Sequence, residues 1–170
     1  ETGRIDEVLA RAHQVLAALP FDYYCGVLAR AEAELKRHRG DFAGARQLLR
    51  DGEAFMERAQ ALDGVLSLQS ARGFLEVDAE DLESARLHLE SAERTSRDLG
   101  ERLIRSDVVY KLAEIAWYEG STGEADRLSA EALALNWEVG EPLWIVDALL
   151  LRASIIGELG GGVEARACLE

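Results

Sequence analysis

An all-α solenoid of antiparallel helix pairs stacked in chain order is the fold class this sequence predicts. Three observations predict it: an internal period of 40 residues, columns of small residues in phase with that period, and apolar spacing that is helical between the turns. About four repeats and about nine helices fit into the chain on that reading.

The period is clearest at one turn. Gly40-Asp41-Phe42-Ala43-Gly44-Ala45 returns as Glu80-Asp81-Leu82-Glu83-Ser84-Ala85, as Gly120-Ser121-Thr122-Gly123-Glu124-Ala125, and as Gly160-Gly161-Gly162-Val163-Glu164-Ala165. Glycine can take the left-handed conformation that ends a helix, and Asp41 or Asp81 can cap the next one by accepting from its free N–H groups. A second small column runs Ala33, Gly73, Ala113 and Ala153, and a third Gly52, Ala92 and Ala132. Helices joined by a short turn approach closely only where neither carries a bulky side chain, so these columns mark helix crossings.

Between the turns, Leu28 and Leu35, Leu68 and Leu75, Val108 with Leu112 and Ile115, and Leu151 with Ile155 keep helical spacing. Breaks fall at Pro20, Asp63-Gly64, Gly100 and Gly140-Glu141-Pro142, where proline suits the first turn of the following helix. Helices are therefore expected at 4–19, 22–39, 42–61, 64–78, 81–99, 102–119, 122–139, 142–159 and 162 onward. One repeat domain over 1–170 is expected, with helix pairs near 22–61, 64–99, 102–139 and 142–170 and an unpaired helix at 4–19. Both ends read as cut, which predicts a longer natural protein whose uncapped ends could pair with a copy.

Composition excludes several classes. With 48% hydrophobic and 30% charged residues the chain can bury a core, and no apolar run approaches the roughly 18 residues that span a bilayer. No basic segment leads into an apolar stretch at the start, so a cytoplasmic location is expected. A net charge of −13 opposes direct nucleic-acid contact, which needs clustered Lys and Arg. Lys36-Arg37-His38-Arg39 is the one basic knot; the chain after Asp51 is heavily acidic, which reads first as solvated helix faces and second as a surface that would attract a partner with a basic face. Cys25 and Cys168 read as small buried hydrophobes.

The stretch Val109-Tyr110-Lys111-Leu112-Ala113-Glu114-Ile115-Ala116-Trp117-Tyr118-Glu119-Gly120, continuing to Ala125 and Ala132, resembles a tetratricopeptide (TPR) motif. Two departures stand out. The period is 40 where the family's is about 34, and the family's large apolar residue before the first small one is replaced by Glu32, Arg72 and Arg152. Long repeats of this sort resemble the C-terminal helical arrays of maltose-activator-type (LuxR-like) ATP-dependent transcriptional regulators. The Ala-Arg-x-x-Leu pattern of Ala45-Arg46-Gln47-Leu48-Leu49 and Ala85-Arg86-Leu87-His88-Leu89 points the same way, and the scarcity of Lys, at Lys36 and Lys111 alone, fits a GC-rich bacterial genome.

The resemblance implies that the first helix of each pair lines the concave side and reads a ligand there. The inward set would be Arg30, Glu34 and Arg37, then Ser70, Phe74 and Val77, then Tyr110, Glu114 and Trp117, then Leu150 and Ser154. Phe74, Tyr110 and Trp117 could form an aromatic strip for a peptide or could pack core. The Lys and Asn pairs with which some TPR domains grip a C-terminal carboxylate are missing here. Arg30, Ser70, Tyr110 and Leu150, then Glu34, Phe74, Glu114 and Ser154, stand in their place.

No catalytic residue, metal site or cofactor is expected. His13, His38 and His88 lie on separate helices at unrelated phases, and Gly160-Gly161-Gly162 lacks the lysine and strand of a phosphate loop. Two readings stay open: a non-enzymatic protein- or peptide-binding scaffold within a larger bacterial signalling or transcriptional regulator, and a sensor domain of such a regulator for a small-molecule inducer.

Overall fold

Seven residues at intervals of 20, from Gly40 through Gln60, Glu80, Gly100, Gly120 and Gly140 to Gly160, hold φ between 56° and 84°. Each follows the end of a helix by one or two positions. In this computed structural model, which describes residues 2–18 and 21–160, the helices are α1 (Thr2–Ala18), α2 (Asp22–His38), α3 (Phe42–Arg58), α4 (Leu62–Asp78), α5 (Leu82–Leu99), α6 (Arg102–Tyr118), α7 (Thr122–Val139) and α8 (Pro142–Glu158). No strand occurs among the described residues.

One hydrogen-bond pattern repeats at the turns. The N–H after the left-handed residue donates back five positions, from Asp41 to Lys36, Ala61 to Met56, Asp81 to Glu76, Glu101 to Ser96 and Ser121 to Ala116, at 2.8–3.0 Å. This bond satisfies a carbonyl the helix end would otherwise leave open and turns the chain sharply. Asp41 then caps α3, its carboxylate accepting from the Gly44 N–H at 2.9 Å. Pro142 opens α8, where a missing N–H costs nothing.

The helices found are eight among the described residues, where nine are expected. The expected helix from 162 onward, Ala165, Cys168, Gly161, Gly162 and the break at Pro20 lie outside the described residues. The expected break at Asp63-Gly64 is corrected: α3 stops at Arg58, and Asp63 and Gly64 lie in the first turn of α4. The turn there centres on Gln60, which takes the left-handed conformation at φ 56° without being glycine.

Two compact units divide the chain, Glu1–Asp81 and Leu82–Glu170. In the first, α3 packs on both α2 and α4, α2 touches α4, and α1 lies against α2. Its core gathers Ala33, Ala45, Leu49, Met56, Leu68 and Leu75. Met56 is the wedge: a Cβ placed on Gly26 of α2 would meet its Cε at 2.8 Å, and one placed on Gly64 of α4 would collide with its sulfur. In the second unit α6 packs on α5 and α7, and α8 on α7 and α6. The small columns are at buried crossings: Ala33, Ala45, Ala85, Ala92, Ala113, Ala125 and Ala132 are at most 2% exposed, Gly52 and Gly73 are buried, and Ala153 is half-buried.

The three charged residues that depart from the TPR pattern share one use. Glu32 of α2 accepts from His13 of α1 at 2.7 Å, Arg72 of α4 donates to Glu53 of α3 at 2.7 Å, and Arg152 of α8 donates to the Asp126 carbonyl of α7 at 2.9 Å. Each reaches the helix before its own, so polar ties replace apolar contact at that position. Arginines of the Ala-Arg pairs point forward instead. Arg46 of α3 clasps the buried Glu76 carboxylate near the end of α4, and Arg86 of α5 reaches Glu119 and Glu124.

Candidate functional site

On α6 of the Leu82–Glu170 unit, Asp107, Tyr110, Glu114 and Trp117 follow one another at three- and four-residue steps, as residues on one helical face do. α8 lies alongside, and the two helices, with Asn136 of α7, enclose a cavity of about 190 Å³ lined by Asp107, Tyr110, Lys111, Asn136, Trp144 and Asp147. Asn136 holds the floor. Buried to 2% exposure, it accepts from the Ser106 hydroxyl and donates to the Trp144 carbonyl at 2.8 Å, joining α6, α7 and α8.

Burial raises the Asp107 carboxyl above the usual aspartate range, with Lys111 pulling the other way. The Tyr110 phenol is pushed up to about 12, first by burial and then by the carboxylates of Glu114 and Asp147. The Lys111 ammonium stands 5.4 Å from the Tyr110 ring centre and pairs with Glu114 at 2.6 Å. Trp117 is half-buried, stacks on Tyr118 with centroids 5.8 Å apart, and donates its indole N–H to Glu158 of α8 at 2.6 Å. Leu150 and Ser154 are exposed on α8, and the Ser154 hydroxyl donates back to the Leu150 carbonyl at 3.0 Å.

The residues nominated in the Glu1–Asp81 unit fall in varied settings. Arg30 is exposed on α2. Arg37 is held by Glu34 and, at 2.9 Å, by Asp78 of α4. Ser70 is 4% exposed and its hydroxyl donates to the Ser67 carbonyl of its own helix. Phe74 and Val77 are half-buried on α4. The basic knot proves to be internal bracing: Lys36 pairs with Asp41, Arg37 with Glu34 and Asp78, His38 with Glu34, and Arg39 with Asp6. Between α1 and α2 an apolar groove of about 600 Å³ is walled by Val8, Val15, Phe21, Tyr24 and Leu28.

Asp107, Trp144 and Asp147 escaped the sequence reading. The signal was present, since Asp107 and Asp147 stand one turn before the nominated Tyr110 and Leu150 on the same helix faces. Among the described residues, no group of three His, Cys, Asp or Glu side chains could hold a metal ion, and no helix is long and apolar enough to cross a membrane. Cys25 is a half-buried free thiol.

Solved structures share this fold. Aspartyl phosphate phosphatase F from Bacillus subtilis superposes with a TM-score of 0.86 at 14% identity, over 95% of this chain and 43% of that one. Nearly identical TPR-like repeats of a Podosopora anserina protein assigned as a kinesin light chain superpose at 0.72, with 17% identity over 99% of this chain and 84% of theirs. The fold is TPR-like. BtubC (BKLC) from P. vanneervenii superposes at 0.63, with 14% identity over 98% of this chain and 85% of that one. At these identities the likeness concerns the fold alone, and the TPR-like chain spans less than half the length of the Bacillus protein. No family model and no curated protein matches the sequence.

Proposed function

We propose that this TPR-like chain is a non-catalytic scaffold for a protein or peptide, acting as one repeat domain in the cytoplasm within a larger bacterial signalling or transcriptional regulator. The observation that carries the reading is the α6–α8 cleft, where Tyr110 and Trp144 line one cavity with the carboxylates of Asp107 and Asp147, and where Trp117, two turns further along α6, bonds Glu158 of α8. Rigid aromatic side chains next to placed polar groups are what a peptide needs for anchorage, because the rings bury much area at little entropic cost. TPR-like neighbours named for kinesin light chain repeats and for a phosphatase support a scaffold no more closely than the fold allows.

A small-molecule inducer is the second reading, favoured by the same pair of rings, which could stack on a flat ligand. The cavity's volume of about 190 Å³ falls below the roughly 300–1,000 Å³ of sites that enclose such ligands, so the peptide reading ranks first.

Selection of a displayed peptide library against the full chain, together with a metabolite panel read by thermal shift, separates the two. The scaffold reading expects a selected peptide whose affinity falls about tenfold or more with Trp117→Ala. Trp117→Ala should leave the unfolding midpoint well above that of Ala125→Leu, which overpacks a helix crossing by roughly 1–3 kcal/mol. A metabolite that raises the midpoint where no peptide is ever selected would overturn it.

A further inference from the structure

We infer that the α6–α8 cleft receives one cationic side chain, an arginine or lysine, of the bound peptide. The inference deepens the scaffold reading and rests on it.

The carboxylates of Asp107 and Asp147 both line the cavity, and neither makes a hydrogen bond or ion pair among the described residues. Carboxylates elsewhere are commonly engaged: Glu53, Glu76, Glu93, Glu114, Glu119 and Glu131 each meet Arg or Lys. A half-buried carboxylate without a partner is costly, and Asp107 bears that cost within the cavity. The resident cation does not remove it. Lys111 is taken by Glu114 at 2.6 Å, so the four charges around the cavity sum to an excess of negative charge.

The walls favour a cation as well. Lys111 already stands 5.4 Å from the Tyr110 ring centre, the distance at which an aromatic face attracts positive charge. Trp144 supplies a second ring and Asn136, occupied with Ser106 and the Trp144 carbonyl, keeps α8 in place beside α6. A volume of about 190 Å³ accommodates the head of one long side chain, not a cofactor-sized molecule. The acidic character of the chain, −13 in net charge, would draw such a peptide in.

The test titrates the full chain with N-acetyl-arginine amide and with its neutral isostere N-acetyl-citrulline amide, following the three tryptophan indole N–H resonances by NMR. The arginine compound should shift the Trp144 resonance saturably at millimolar concentration and leave the exposed Trp137 unmoved; the citrulline compound should move neither resonance. Asp107→Asn and Asp147→Asn should each weaken the arginine compound about tenfold, as loss of a charge-assisted contact does, with the unfolding midpoint kept. Equal shifts with both compounds, or unchanged affinity in both variants, overturn the inference. A selected peptide that binds in a Trp117-dependent way yet ignores both Asn variants overturns it while the scaffold reading stands. If the arginine compound binds and no peptide does, the scaffold reading falls, and the peptide side chain named here falls with it.

Discussion

Arg72 of α4 places its guanidinium 2.7 Å from the Glu53 carboxylate of α3, at the position where the TPR motif carries a large apolar side chain. Both groups are largely covered, with side-chain exposures of 27% and 18%. Burial raises the Glu53 carboxyl above 4.5, and Arg72 opposes that rise.

Arg72→Leu therefore restores the motif but strands a covered carboxylate. The expected loss is about 1–3 kcal/mol at neutral pH, read by urea unfolding. The sign with pH follows from the raised value: Glu53 is protonated in both states well below its ordinary 4.5, so the loss vanishes there, grows as pH rises from that value toward the higher folded-state one, and is complete above it. Glu53→Gln with Arg72→Leu should recover most of the loss, and strict additivity of the two single changes would refute the coupling.

Glu80 holds φ at 60° in a turn whose equivalents at 40, 100, 120, 140 and 160 are glycines. An L-residue in that conformation costs roughly 1–2 kcal/mol, of which glycine's extra freedom in the unfolded chain takes back a part. Glu80→Gly should raise stability by about 0.5–1 kcal/mol, and Gly120→Ala should lower it, both measured by chemical denaturation. A destabilised Glu80→Gly would mean the Glu80 side chain does something that its geometry does not reveal.

Met56 is 3% exposed between glycines of the helices on either side. Gly64→Ala should cost about 1–3 kcal/mol, since the new methyl would meet the Met56 side chain. Met56→Ala should cost about 2–4 kcal/mol through the cavity it opens. Because each change alters the same space, Gly64→Ala on top of Met56→Ala should cost less than Gly64→Ala alone; thermal unfolding of the four-member cycle checks it.

Asn136 links the Ser106 hydroxyl to the Trp144 carbonyl inside the second unit. Asn136→Ala leaves both without that partner and should destabilise by about 1–3 kcal/mol. Hydrogen exchange should rise first at the start of α8, where the lost bond was made. Protection unchanged there while the rest of the unit loosens would place the strain elsewhere.

The repeat was legible because its cause is local. A left-handed residue, a tight backbone bond and an alanine at each crossing are properties of short stretches, so Gly40, Gly120, Ala45, Ala85 and Ala125 announced the helices and their contacts unaided. Gln60 did not, since nothing in a glutamine signals a left-handed turn; only the hydrogen bond from Ala61 to Met56 and the packing of α3 against α4 select that conformation. The candidate site was half legible for the same reason. Helical stepping found Tyr110 and Trp117, whereas the burial of Ser70, the bracing of Arg37 by Asp78 and the meeting of Asp107 with Trp144 and Asp147 depend on residues far apart in the chain. Sequence by itself determined helix, turn and period, which short-range sterics and backbone bonding control. Tertiary structure decided which charges are paired and which are not, because that depends on what a neighbouring helix presents across the gap.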